Sequence, residues 1–388
     1  MKKNMLLIVP MLHQGGFERV CIRTARMLAE ECNVSILIFS DADIAFDIKG
    51  LDIINIDIKS KDGRFHKVWN LLQRIQKVKQ IKIKKRIDIS YSFGVTANLV
   101  NVFARAQEMC WVGLRGYTDL YSKTLKIICS RADKIVCCSK VIEDKIKSQF
   151  VNKEVVHIPN SYDIEWIQSQ AEEDILKEDQ YIFEDGMRVL VAVGREDDLK
   201  GYWHLIRSFT KVVQSVNDVR LLIIGEGEYR KDKKLAEDLG IKDKVFFTGV
   251  RSNPFPYVKK AYAYVLSSRN EGFPNALVEA MALGKPVLAT NCQSGPAEIL
   301  FDDYQKAADD SIAYDADYGV LLPMVIWEKD LHLEGLDDAE IIMAEEIIKM
   351  LKDENKHTKY AGLAKKRAEY FSDDKYKDFL LKNIYSEA

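Results

Sequence analysis

The sequence predicts an α/β protein built from two doubly wound domains, each around a parallel sheet. Three observations carry this reading. The chain has 388 residues, long for one core and suited to two domains. In the first half, short β-branched runs alternate with longer amphipathic stretches, the pattern of strands joined by crossover helices. After a strand-poor acidic passage, the same alternation starts again at Met187.

Taken in order, the apolar run at 6–9 is a buried first strand. It is too short for a secretion signal, Pro10 ends it, and Gly15-Gly16 leads directly into a helix over 17–30. Further strands are expected at 34–39, 53–56, 87–91, 110–114, 134–138 and 155–158, with a helix over 141–149. The break falls within 160–186, through Pro159-Asn160-Ser161-Tyr162-Asp163 and an acidic stretch at 171–185. The second series places strands at 189–193, 219–224, 244–248, 263–266 and 286–289. Residues 301–317 read as an insertion ahead of Gly319-Val320-Leu321-Leu322-Pro323, and 337–388 is helical in pattern. The domains are therefore set at 1–165 and 187–370, with 166–186 as linker and 371–388 as a last helix.

Hydrophobic content of 47%, charged content of 30% and a net charge of −2 are those of a soluble globular protein. No run approaches the roughly 20 apolar residues of a membrane span. The seven cysteines are scattered, without a Cys-x-x-Cys pair, which argues against a zinc site or a disulfide framework and for the cytoplasm. The balanced charge hides one basic stretch. Lys61, Arg64, Lys67, Arg74, Lys77, Lys79, Lys82, Lys84, Lys85 and Arg86 are accompanied by a single acid, Asp62. Leu71, Leu72, Ile75, Val78, Ile81 and Ile83 interleave with them. Such a helix either lies peripherally on an anionic membrane, through residues 74–86, or is a solvated lysine-rich surface. No aromatic platform accompanies it, so nucleic acid is not expected as a partner.

The most informative stretch is Glu271-Gly272-Phe273-Pro274-Asn275-Ala276-Leu277-Val278-Glu279. It follows a strand, at the end where ligands bind in open parallel sheets. Gly272 and Pro274 make a turn, Asn275 is a good N-cap, and Gly284 ends the helix. A loop carboxylate, free N–H groups and a helical carboxylate thus meet at one helix start, a site for an anionic ligand bearing hydroxyls. Gly194-Arg195 ends an earlier strand, and Lys200-Gly201 follows. Glycine admits a phosphate to the backbone, Arg195 offers a planar fork and Lys200 a compact charge. Gly225-Glu226-Gly227 is a similar strand-to-loop passage. Gly15-Gly16-Phe17-Glu18-Arg19 opens a helix whose N–H groups can face an anion. It lacks the Gly-x-Gly-x-x-Gly fingerprint, which argues against a nicotinamide dehydrogenase.

These segments resemble retaining glycosyltransferases of family 4. The shared elements are the two glutamates with seven residues between them, the Gly-Arg…Lys-Gly pair, Gly-Gly-x-Glu-Arg, and Gly295-Pro296-Ala297-Glu298-Ile299. The resemblance implies the GT-B fold, two Rossmann-like domains facing a central cleft, with the last helix crossing back to the first domain. It implies an enzyme that moves a sugar, a hexose or N-acetylhexosamine, from a nucleotide diphosphosugar with retention. A UDP-sugar is the expected donor, and the expected acceptor is a hydroxyl of a glycan, lipid-linked and destined for bacterial surface polysaccharide. An epimerase or hydrolase on the same fold, or a non-catalytic donor-binding subunit, is the alternative.

The resemblance also assigns residues. Glu271, Arg195 and Lys200 carry catalysis, Glu279 holds ribose hydroxyls, and the turn of Gly272, Phe273, Pro274, Asn275 and Ala276 lines the diphosphate, supporting it through the backbone N–H groups of the four residues other than proline. Gly15, Gly16, Gly194 and Gly225 line the donor, and Gly249 and Val250 wrap the base. Where many members have a histidine after a middle strand, this chain has Leu114-Arg115-Gly116-Tyr117. Arg115 and His13 are therefore set on the acceptor side. Two Asp-x-Asp triplets, Asp41-Ala42-Asp43 and Asp315-Ala316-Asp317, suit a divalent cation. Lys200 and Arg195 already neutralise a diphosphate, however, so neither metal nor cofactor is expected.

Overall fold

Strand β1 (Asn4–Val9) is apolar and buried from Met5 onward because helices cover both faces of its sheet. Met5, Leu7 and Val9 enter one core with Ile36 and Ile38, while Leu6 and Ile8 enter another with Leu37 and Phe39. The computed structural model describes the chain apart from residues 1, 14, 43, 60–63, 185, 327–334 and 387–388, and the side chains of 64 and 65. Asp43, Lys61 and Asp62, named above, therefore lie outside the described residues.

The chain forms two units, residues Met1–Ser161 with Asp373–Ala388, and Tyr162–Ser372. In the first, β1 is joined by β2 (Asn33–Ile38), β3 (Asp52–Asn55), β4 (Ile89–Phe93), β5 (Met109–Leu114), β6 (Lys134–Cys137) and β7 (Glu154–His157). Their order is β3-β2-β1-β4-β5-β6-β7, and every pairing is parallel. The fourth strand begins two residues later than the sequence suggested. Helix Asp373–Tyr385 packs in this unit, where Tyr376 and Thr24 share a hydroxyl hydrogen bond of 2.8 Å and Arg23 pairs with Asp373 at 2.5 Å.

The second unit holds β8 (Arg188–Val193), β9 (Val219–Ile224), β10 (Val245–Gly249), β11 (Ala263–Leu266), β12 (Val287–Thr290), β13 (Tyr314–Asp315) and β14 (Val320–Leu322). The order is β10-β9-β8-β11-β12-β14-β13, with only β13 antiparallel to its neighbour. The segment read as an insertion at 301–317 thus supplies an edge strand. Asp315 in it pairs with Lys356 at 2.6 Å, and Asp317 accepts the Asp302 N–H at 3.0 Å. The stretch read as linker is folded into this unit, as helix Ile164–Gln170 and the 3-10 turn Lys177–Phe183. Buried Asp179 fastens it, receiving Arg251 through Nε at 2.8 Å and Nη2 at 3.0 Å, and the Tyr257 hydroxyl at 2.6 Å. An acidic run without strand pattern hid this, because its anchor partners lie over seventy residues away.

All seven cysteines are buried and unbridged. Among the described residues, no helix is long and apolar enough to cross a membrane. The basic stretch forms helix Arg64–Lys84, but its charges divide. Lys82 is buried, 2.6 Å from the Glu108 carboxylate and 2.7 Å from Asn101 Oδ1, so it does not belong to a solvent or membrane face. Arg74 and Lys77 donate to the Ile58 and Ile56 carbonyls, and Lys85 pairs with Asp52 at 2.6 Å. Val68, Trp69 and Leu72 stand exposed at 59%, 62% and 55%, beside exposed Lys67 and Lys79.

Candidate functional site

Glu271 leaves the end of β11 on a short loop, and its carboxylate is held there by two donors. Lys200 Nζ lies 2.8 Å from Oε1, and the Ser268 hydroxyl donates to the same oxygen at 2.7 Å. Further bonds fix the backbone on both sides. Ser294 donates to the Glu271 and Gly272 carbonyls at 2.7 and 3.0 Å, and Thr290 donates to the Ser268 carbonyl at 2.5 Å. The Lys200 carbonyl accepts the Ser267 hydroxyl at 2.9 Å, and Leu199 accepts the Arg269 N–H at 2.7 Å. Loops after β8, β11 and β12 are thereby joined around one carboxylate.

Helix Asn275–Ala282 starts beside it. Pro274 occupies the N-cap position, so Asn275 is the first helical residue and not the cap expected from its residue type. Its Oδ1 instead accepts the Tyr162 hydroxyl at 2.7 Å, a tertiary contact that no local pattern announces. Proline has no N–H and presets its own φ, and it leaves the helix start without a capping side chain. The other end behaves as read. Gly284 takes φ +69°, its N–H reaches the Met281 carbonyl, and the Lys285 N–H reaches Ala280. Phe273 and Pro274 are buried, with the Phe273 ring edge-on to Phe371 at 5.4 Å. These two can offer a ligand only their backbone.

Tyr264 lies wholly buried on β11. Burial pushes its phenol up, and the carboxylates of Glu271 and then Glu279 push it further, which places both glutamates within electrostatic reach of one hydroxyl. The Cys292 thiol is also raised by burial and then by Glu271, with Lys200 opposing.

The β8 loop brings Gly194 under the Lys200 stem, since a Cβ there would meet Lys200 Cε at 3.1 Å. The next two glycine loops are clipped to it. Gly194 N–H donates to Ile224 at 2.9 Å and Gly225 N–H to the Gly249 carbonyl at 3.0 Å. Arg195 is not part of the Glu271 group. It is an exposed side chain paired with Asp197 at 3.2 Å. Val250 is exposed at the end of β10.

In the first unit, Arg115 follows β5 at the same carboxyl-end edge as the loop after β1. It donates to the Tyr91 hydroxyl and, at 3.3 Å, to Asn160 Oδ1, with its guanidinium 5.2 Å from the Phe93 ring centre. His13 is exposed on the loop after β1, and Gly15 and Gly16 open helix Gly16–Leu28. Sequence reasoning missed Ser268, Ser294 and Tyr264. A serine three residues before Glu271 was a local signal for the first, whereas the other two depend on strand pairing.

Among the described residues, one group could offer three metal ligands, His204, Asp337 and Glu340. Glu340 already receives Arg207 Nε at 2.9 and 3.0 Å and His204 Nδ1 at 2.8 Å, and Asp337 caps the helix that starts there. The set reads as a buried ion-pair network around a helix cap. Asp315 is likewise committed to Lys356.

The family model for glycosyl transferases group 1 matches residues 174–310, the part of the second unit that holds these loops. The chain is 34% identical over 282 residues to an uncharacterized glycosyltransferase of Methanocaldococcus jannaschii, covering 69% of this chain and 66% of that protein. It is 26% identical over 379 residues, 93% of each, to a Campylobacter jejuni N-acetylgalactosaminyltransferase that acts on N-acetylgalactosamine-N,N'-diacetylbacillosaminyl-diphospho-undecaprenol. Among solved structures, a Rickettsia africae glycosyltransferase superposes with a TM-score of 0.76 at 17% identity, over 100% of this chain and 98% of that one. Anabaena HepE in complex with UDP and glucose superposes with a TM-score of 0.73 at 17% identity, over 99% and 100%.

Proposed function

The chain is a GT-B protein carrying a glycosyl transferases group 1 domain, and from that premise we propose that it is a retaining, family 4 sugar transferase. It takes a UDP-hexose or UDP-N-acetylhexosamine and glycosylates a hydroxyl of a lipid-linked glycan. The observation that carries this reading is the Lys200–Glu271 pair at the ligand edge of the second sheet, next to an uncapped helix start. Lys200 turns to the donor diphosphate, together with Arg195 and the N–H groups of Gly272, Phe273, Asn275 and Ala276, and stabilises the charge that develops on it. Glu271, kept in place by Ser268, contacts the transferred sugar, and Glu279 holds the ribose. The bond from the anomeric carbon to the phosphate breaks while the acceptor oxygen bonds on the same face, and the acceptor proton passes to the departing phosphate. The step needs no metal, because cations of the chain neutralise the diphosphate.

The UDP donor is supported by the fold neighbour in complex with UDP and glucose. The lipid-linked acceptor is supported by the Campylobacter relative, which covers 93% of the chain. Helix Arg64–Lys84 supplies the membrane contact. Its exposed Val68, Trp69 and Leu72 form an apolar stripe, flanked by lysines and free of acidic residues from 63 to 87. Incubation with radiolabelled UDP-N-acetylgalactosamine, UDP-N-acetylglucosamine and UDP-glucose, with a bacterial lipid-linked glycan fraction as acceptor, tests the reading. Transfer with an α-linked product by NMR supports it. Donor hydrolysis at the same rate without acceptor, or an inverted product, refutes it.

A further inference from the structure

Helix Asn275–Ala282 starts without a cap of its own, since Pro274 stands at the N-cap position and gives no side-chain capping bond. A helix start leaves its first N–H groups without intrahelical partners, and an asparagine placed there offers its own amide oxygen to such groups. Left to itself, Asn275 would compete with an anion for them. A tertiary contact engages that oxygen instead. Tyr162, 3% exposed, donates its hydroxyl to Asn275 Oδ1 at 2.7 Å. The phenol is itself held. Tyr162 N–H donates to the Phe371 carbonyl at 2.9 Å, and Tyr162 forms a parallel bridge with Ser372. The Phe371 ring in turn packs edge-on to Phe273 at 5.4 Å. The segments at 162 and 371–372 therefore grip the residues just before and just after Pro274. Gly295 closes a third side, because a Cβ there would lie 2.4 Å from Pro274 Cδ.

We infer that Tyr162 is a positioning residue of the donor site. Its hydroxyl holds Asn275 Oδ1 and so keeps the first turn of helix Asn275–Ala282 open to the donor diphosphate. The phenol acts through Asn275 and meets no substrate itself. This rests on the reading above, in which N–H groups of that turn meet the diphosphate. Of the contacts around Pro274, the Tyr162 bond is the one made to a helical residue, whereas Phe371 and Gly295 fix the turn that precedes it. Phenylalanine at 162 would fill the same space and lose only the hydroxyl, so the bond can be removed without the packing.

The test is calorimetric titration of the full chain with UDP, uridine and inorganic pyrophosphate, in wild type, Tyr162→Phe, Asn275→Ala and the double variant. Tyr162→Phe should bind UDP and pyrophosphate about three- to tenfold more weakly, the range of one neutral hydrogen bond, with uridine unchanged. In the Asn275→Ala background the same substitution should change nothing, since the oxygen it restrains is gone. Equal UDP binding by wild type and Tyr162→Phe overturns the inference and leaves the UDP donor standing. So does a matching loss for UDP and uridine with a lowered melting temperature, because Tyr162 would then only support the fold. A loss of the same size in the Asn275→Ala background overturns it too. Wild type that binds pyrophosphate but not UDP, with pyrophosphate weakened by Tyr162→Phe, sinks the UDP donor and supports the inference. Wild type that binds neither overturns both.

Discussion

Lys200 Nζ sits 2.8 Å from Glu271 Oε1, and the ion pair is largely shielded, with side-chain exposures of 25% and 13%. Neither partner is idle surface charge. The lysine that would meet a diphosphate and the glutamate that would meet a sugar hold each other before either arrives.

Glu271→Gln should keep the loop geometry, because Ser268 can still donate to the amide oxygen, while turnover falls about a hundredfold or more, as when one group aimed at developing charge is removed. UDP should bind at least as tightly, since Lys200 is released from its partner. Calorimetry and single-turnover assays check both. Unchanged turnover in a variant of wild-type melting temperature would remove Glu271 from catalysis.

Lys200→Ala should weaken UDP binding about ten- to a hundredfold, the value of a charge-assisted contact, and leave uridine nearly unaffected. An equal loss for both ligands would mean that the lysine shapes the loop and does not meet phosphate. Activity should also persist in EDTA. Loss reversed by added divalent cation would return a metal to the site.

Trp69→Ala and the pair Lys79→Gln, Lys84→Gln should each reduce sedimentation with phosphatidylglycerol vesicles. Each lysine near an anionic surface contributes about 1 kcal/mol, and salt screens the lysine part alone. Turnover on a short soluble acceptor should not change. Lys82→Gln is a different experiment. It strands the buried Glu108 carboxylate and should lower the melting temperature instead.

His157, on β7, has its pKa lowered from 6.5 to about 4, by burial and then by Lys140. The unfolded chain therefore takes up this proton first as the solution is acidified. Stability from neutral His157 is complete above about pH 6.5 and drains away towards pH 4, by up to about 3 kcal/mol. Hydrogen exchange at β7 amides should quicken over that window in wild type and respond less in His157→Asn.

The architecture was legible because strands buried on both faces leave an unbroken apolar trace, as in β1, and because glycines and prolines punctuate them. What escaped was tertiary. Residues 166–186 looked like a linker because Asp179 finds Arg251 and Tyr257 only in the folded unit. Asn275 suited an N-cap by type, yet Pro274 before it took that place and Tyr162 claimed its side chain. Lys82 was indistinguishable in composition from Lys79 and Lys84, and only the helix's rotation about its axis buries one and exposes the others. Of the candidate site, the contact between Glu271 and Lys200 joins residues seventy-one positions apart. Residue types pointed to each partner separately, and strand order brought them together.

The glycine loops of the second unit differ sharply in how much change they can absorb. A side chain at Gly225 would begin 1.9 Å from the Gly194 carbonyl oxygen, backbone against backbone, so neither neighbour can swing aside. Around Gly249 there is open space, and Val250 beside it is 56% exposed. Evolution, or a laboratory library, thus meets a frozen end at 194 and 225 and a pliable end at 250. Side-chain change at Val250 can proceed one substitution at a time, while the loop beneath Lys200 stays as it is.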